Sequence, residues 1–206
     1  MDTYTYTAAL IQAVHNKNEF STFCDIVDRH ELITGTRNVY IGERGYCSHD
    51  NMAHVINQEQ YFLFRTKDTH FKGIIGNFAF PDKDSLDIRV KVTLSHSHSK
   101  KVLIQDGYVR FIDQASTFDF IKYGSYETYE MKFCIVRFPI SASTYEYIVT
   151  NLPEDEFPPE LIKATYFTRC GIESSFWKQK YTIGLSNFHS HKPEFIEQEI
   201  RASLVT

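Results

Sequence analysis

Tyr166, Arg169, Glu173 and Lys180 are spaced as Y-x2-R-x3-E-x6-K. On a helix that turns about 100° per residue, these four side chains fall within an arc of about 60°. A phenol, a guanidinium, a carboxylate and an ammonium then project from one face. A packed core has no need of that mixture. A carboxylate can ligate a hard divalent cation, and a guanidinium can pair with phosphate oxygens through two hydrogen bonds. The spacing therefore points to a place that holds a metal ion and phosphate. The plainer alternative is a solvated helix face laced by i,i+4 charge pairs.

Three further stretches accompany this pattern. Ile41-Gly-Glu43-Arg44-Gly45-Tyr46 reads as a strand end followed by a turn. Tyr61-Phe-Leu-Phe-Arg65-Thr-Lys67 and Tyr147-Ile-Val-Thr150-Asn151-Leu152 read as strands. Taken in order, the four stretches resemble the signature of bacterial insertion-sequence transposases of the type-four family. In that family the first is usually D-R-G-Y, the second F-x-x-R-x-K, and the last the Y-R-E-K helix.

The resemblance implies a ribonuclease-H-like catalytic domain with a D-D-E metal triad. It implies phosphoryl transfer on DNA in cut-and-paste transposition, with Mg²⁺ or Mn²⁺ as cofactor. Carried over residue by residue, Glu43 and Glu173 are the catalytic metal carboxylates. Tyr166 and Arg169 would contact DNA phosphate, and Lys180 would steady the strand beside the cleaved bond. Arg44 and Arg65 join them as DNA-binding candidates. The implied partners are double-stranded DNA at transposon ends, and a second copy or a full-length transposase.

Two departures shape the expectation. The family's second carboxylate is an aspartate, and Glu43 stands in its place. One extra methylene moves the carboxylate by about 1 Å, a displacement that can cost about 10²-fold in rate. The family's first aspartate belongs to a strand well upstream of D-R-G-Y. Asp2, Asp25 and Asp28 do not fill that role, because Asp25 and Asp28 fall on a predicted helix and Asp2 precedes a later strand. The chain is therefore expected to be a truncated, catalytically defective fragment. Two other readings stay open: a dead module that binds DNA or interferes with full-length transposase, and a relic without function.

The elements that must position these residues follow from periodicity. Residues 19–30 carry Phe20, Phe23, Ile26 and Val27 near helical spacing, with Asn18 as a possible cap. Residues 38–42 form a short strand, 49–58 a helix with Met52, Val55 and Ile56 on one side, and 61–65 the next strand. Strand, helix, strand predicts a parallel βαβ unit. Ile88, Val90, Val92 and Leu94 alternate with Arg89, Lys91 and Thr93, the period of a half-buried strand. Residues 102–112 and 131–140 are also β-like. From Pro158 the pattern predicts one helix to Gly184, started by proline and Glu160, then a last helix over 193–204. The expected class is α/β. A ribonuclease-H-like mixed sheet flanked by helices would lack its first strand and carry an inserted antiparallel β-region. The expected divisions are 1–68 and 154–206 for the catalytic domain and 69–153 for the insertion.

The chain has 206 residues, 42% of them hydrophobic and 15% aromatic, enough for a sizeable core. No apolar run can span a bilayer and the start is not a signal peptide, so a cytoplasmic location is expected. The four cysteines are scattered and read as buried free thiols. A net charge of −4 gives no general attraction for nucleic acid. Locally, however, Arg89, Lys91, Lys100 and Lys101 occur without an acidic neighbour. This segment, with a polar hairpin tip at Ser95-His96-Ser97-His98-Ser99, is expected to add DNA contacts at Arg89 and Lys91; a solvated basic edge strand is the alternative. Trp177 reads as an aromatic packed under its helix, or else as a wedge for an unstacked base.

Overall fold

The computed structural model describes residues 19–29, 37–66, 73–76, 78–98, 108–113, 116–142, 144–169, 171, 174, 177, 181 and 188–205. Phe20–Tyr166 makes one compact unit. A second unit takes in the C-terminal residues from Phe167 onward.

The first unit is a six-stranded open mixed sheet flanked by helices, consistent with a ribonuclease-H-like fold. In chain order its elements are α1 (Glu19–Arg29), β1 (Val39–Gly42), α2 (His49–Asn57), β2 (Tyr61–Thr66), β3 (Leu86–Ser95), β4 (Tyr108–Phe111), β5 (Thr128–Ser141), β6 (Thr144–Thr150) and α3 (Pro159–Phe167). The strands lie in the order β1-β2-β6-β5-β3-β4. The predicted βαβ unit forms: β1 runs parallel to β2, with Gly42 opposite Phe64. Antiparallel ladders then join β2 to β6, β6 to β5 and β5 to β3. The strands of 69–153 thus extend the same sheet through β6.

Both faces of β2 are covered, which is why its sequence is a run of apolar residues and not an alternation. Phe62, Leu63 and Phe64 have no exposed surface. Phe62 and Phe64 pack with Val27 of α1, Met52 and Val55 of α2, and Met131 and Val149 of the sheet. Leu63 packs on the other side with Val136, Phe138 and Ile148, under Ile162 and Tyr166 of α3. Burying each such side chain contributes about 1.5–3 kcal/mol.

Local chemistry sets the ends of the elements. The Ser48 hydroxyl accepts from the Asn51 backbone N–H at 3.1 Å and caps α2. Asn151 continues β6 by side chain: it accepts from the Phe62 N–H and donates to the Gln60 carbonyl, both at 2.8 Å. Pro159 opens α3, where its missing N–H costs nothing.

The structure corrects three expectations. First, β3 and β4 pair in parallel, with Val92 opposite Tyr108. Parallel neighbours cannot be joined by a tight turn, so residues 95–98 are not part of a hairpin tip between β3 and β4. His98 instead stacks on Phe111, with ring centroids 3.5 Å apart, and His96 Nδ1 lies 3.1 Å from the Ile112 carbonyl oxygen. Second, β3 lies between β5 and β4, so it is not an edge strand. Third, α3 ends at Phe167, and Thr168 and Arg169 form a turn closed by Gly171 N–H on the Thr168 carbonyl at 3.2 Å. Thr165, Tyr166, Phe167 and Thr168 are all poor helix formers, which favours a break there. Gly171, Ser174 and Trp177 are helical again. The single arc drawn for Tyr166 and Arg169 on one continuous helix therefore does not hold.

In the second unit, α4 (Pro193–Val205) matches the predicted last helix. Trp177 is 60% exposed and lies 5.4 Å from the Tyr181 ring, so it is not packed beneath its helix. His189 and His191 are exposed, and the His189 N–H donates to Glu199 at 3.0 Å.

Candidate active site

Strand alternation assembles a polar group on the α3 side of the sheet. Val39 and Ile41 of β1 pack on that side, as do Tyr61 and Leu63 of β2 and Ile148 of β6. The same period carries Glu43, Arg65 and Glu146 to that side. Glu43 lies just past the C-terminal end of β1, where open α/β sheets commonly bind their ligands.

These side chains meet under Tyr166. The Tyr166 hydroxyl donates to Glu43 Oε1 at 2.9 Å. Arg65 Nη1 lies 3.6 Å from Glu43 Oε2, and its Nε–H donates to Glu146 Oε1. Exposure falls along the chain of contacts: 35% for the Glu43 side chain, 26% for Arg65, 7% for Glu146. Burial pushes the Glu146 carboxyl above its usual range, and Arg65 opposes that shift. Arg65 therefore offsets part of the cost of burying this carboxyl.

The turn after β1 is built for this position. The Tyr46 N–H donates to the Glu43 carbonyl at 2.9 Å. Gly42 is buried, and a Cβ there would meet Phe64 Cδ1 and Tyr46 Cβ, each at 3.0 Å. Glycine is what lets the backbone pass this close to the Phe64 ring.

The predicted site residues divide as follows. Glu43, Arg65 and Tyr166 come together. Tyr166 is only 3% exposed and its hydroxyl is spent on Glu43, so a phosphate contact would require it to turn away. Arg65 is directed at two carboxylates and Arg44 is exposed beside them. Arg169 is half-buried in the turn after α3. Glu173 and Lys180 lie outside the described residues, as do Lys100 and Lys101. Arg89 lies 3.3 Å from Glu154, and Lys91 lies 2.5 Å from Glu130. The basic stretch of β3 is thus neutralised by carboxylates from elsewhere in the chain.

Sequence reasoning missed Glu146. Its signal was present: a glutamate between Tyr145 and Tyr147, in a strand that otherwise reads as buried.

A hard divalent cation would find only part of a shell here. Glu43 offers oxygen ligands, but Glu146 is held behind Arg65. Among the described residues Glu43 belongs to no group of three ligating side chains. No described helix is long and apolar enough to cross a membrane.

A family model described as a transposase DDE domain matches residues 5–206. No curated protein gives a significant match.

Proposed function

The chain belongs to the transposase DDE domain family, and on that premise we propose that it is a type-four insertion-sequence transposase impaired at Glu43. Its substrate is double-stranded DNA at transposon ends, and its reaction is phosphoryl transfer. A bound Mg²⁺ or Mn²⁺ would activate the attacking oxygen and stabilise the leaving one. Glu43 and Glu173 would hold that ion through hard oxygen atoms. Arg44, Arg169 and Lys180 would position the phosphates.

The observation that supports impairment is the engagement of Glu43. Its longer side chain reaches both Tyr166 and Arg65, so each carboxylate oxygen already has a partner. An aspartate would retract by about 1 Å from both, a displacement large enough to change rates by about 10²-fold. The neutralised state of Arg89 and Lys91 gives no support to a purely DNA-binding role for β3.

Plasmid nicking with Mn²⁺ tests this reading. The wild-type chain should nick slowly, Glu43→Asp should gain on the order of 10²-fold, and Glu173→Ala should abolish the gain. Efficient wild-type nicking that disappears in Glu173→Ala would sink the claim of impairment. No nicking by any variant, combined with salt-dependent duplex binding, would favour the binding-module alternative.

A further inference from the structure

A second cluster of ligating side chains lies on the α1–α2 side of the sheet, apart from Glu43. We propose that Cys24, Asp50 and His54, with Asp119 as a fourth ligand, form a binding site for Zn²⁺ or a similar transition-metal ion.

The ligand atoms of Cys24, Asp50 and His54 all lie within 4.8 Å of one another. The decisive group is His54, whose side chain is only 8% exposed. Its Nδ1 lies 2.9 Å from Asp28 Oδ1, and a hydrogen bond there places a proton on Nδ1. That Nε2 is buried and has no hydrogen-bond partner. It lies 3.4 Å from Asp119 Oδ2 and 3.9 Å from Asp50 Oδ1. With the ring neutral and its proton on Nδ1, Nε2 would face two carboxylates acceptor to acceptor, and a metal cation between them would resolve that conflict.

The cluster is wider than the shell of a small tetrahedral ion and would contract around one. With bonds of about 2.0–2.3 Å, neighbouring ligand atoms around zinc lie about 3.3–3.7 Å apart. The Asp119 contact already fits, and the Asp50 contact must close by a few tenths of an ångström. One thiol, one imidazole and carboxylates form a borderline-soft set that favours zinc over Mg²⁺. Asp28, on the far nitrogen of His54, is the carboxylate that orients a metal-bound histidine.

One present bond would change. The Cys24 thiol, which now donates to Asn51 Oδ1 at 3.2 Å, would turn to the metal. Asn51 would keep its bond to the Tyr46 carbonyl at 2.9 Å. Asp50 Oδ1 accepts the Asp119 backbone N–H at 2.9 Å, so these two ligands are already linked. A metal here would clamp α1, α2 and the segment around Asp119 together.

Cobalt substitution is the direct test. The full chain, stripped of metal and titrated with Co²⁺, should take up one ion per chain. It should show tetrahedral visible bands and a thiolate-to-cobalt charge-transfer band, and Zn²⁺ should bleach both. Cys24→Ser should lose the charge-transfer band. Asp28→Asn should keep that band but weaken Zn²⁺ binding about 10–100-fold. Absence of a charge-transfer band in the wild-type chain overturns the proposal, even if a variant fails to fold. So does a band that persists in Cys24→Ser. Either failure leaves the reading of Glu43 untouched, because a Mg²⁺ or Mn²⁺ site uses no thiolate.

Discussion

Arg65→Met removes the guanidinium that bridges Glu43 and Glu146, and it should expose how the polar group is held. Removing one partner of a buried ion pair costs about 3–5 kcal/mol, because the other charge stays buried. Glu146 is buried enough for that figure, but Arg65 is a quarter exposed, so solvent screens part of the attraction. The lower end, about 3 kcal/mol, is the expected loss. Glu43 is a third exposed and should add no more than about 0.5 kcal/mol. Against a total stability of about 5–15 kcal/mol, the variant should still fold.

The loss should depend on pH in a definite direction. Burial raises the folded-state pKa of Glu146 and Arg65 opposes the rise, so removing Arg65 raises it further. A carboxyl with a raised folded pKa costs stability only where it is ionised. The deficit of the variant should therefore be largest near pH 7. It should shrink as pH falls through the folded pKa toward the unfolded value of about 4.3. Urea unfolding at pH 7 and pH 5 measures this. Adding Glu146→Gln to Arg65→Met should recover most of the loss at pH 7, since the amide leaves no unpaired charge. A deficit below about 1 kcal/mol, an equal deficit at both pH values, or no recovery in the double variant would refute the reasoning.

Three other outcomes are expected. Tyr166→Phe keeps the buried ring but removes its bond to Glu43, and should lower stability by about 1 kcal/mol in urea titrations; no change would mean the hydroxyl is not engaged. Gly42→Ala should cost about 1–3 kcal/mol, because the added methyl meets Phe64 and Tyr46 at 3.0 Å, and an unchanged thermal midpoint would contradict this. Burial, with a smaller contribution from Arg110, lowers the His49 pKa to about 4. A depressed histidine contributes stability above its unfolded pKa and loses it as pH falls through the folded one. About 3 kcal/mol should therefore disappear between pH 6.5 and pH 4, and an NMR titration of His49 centred near 6.5 would overturn the assignment.

Local elements were legible where one face had to be buried and a cap or turn marked the end. Met52 and Val55 mark the buried side of α2, Gly42 and Gly45 bracket the turn after β1, and the 2-residue alternation in β3 separates Val90 and Val92 from Arg89 and Lys91, although Thr93 and Ser95 are covered as well. Partner and direction were not legible, because alternation looks the same in parallel and antiparallel strands. Helical spacing was extended past Phe167 although the residues there are weak helix formers. Charge was read from neighbours in sequence, so Arg89 and Lys91 looked unopposed; Glu154 and Glu130 reach them only in the fold.

The sheet also changes what the middle of the chain contributes. Glu146 belongs to β6, a strand of the stretch read as an insertion, yet it bonds Arg65 of the strand next to β1. The Thr150 hydroxyl donates to the Phe62 carbonyl at 2.7 Å, and Asn151 takes the Phe62 N–H. β6 is therefore what completes the covered edge of β2 and supplies the second carboxylate facing Arg65. Without that strand, Arg65 would have Glu43 as its remaining carboxylate in this group, and the pull on Glu43 would increase. The position of the residue proposed to bind metal thus depends on a strand more than 80 residues away in sequence.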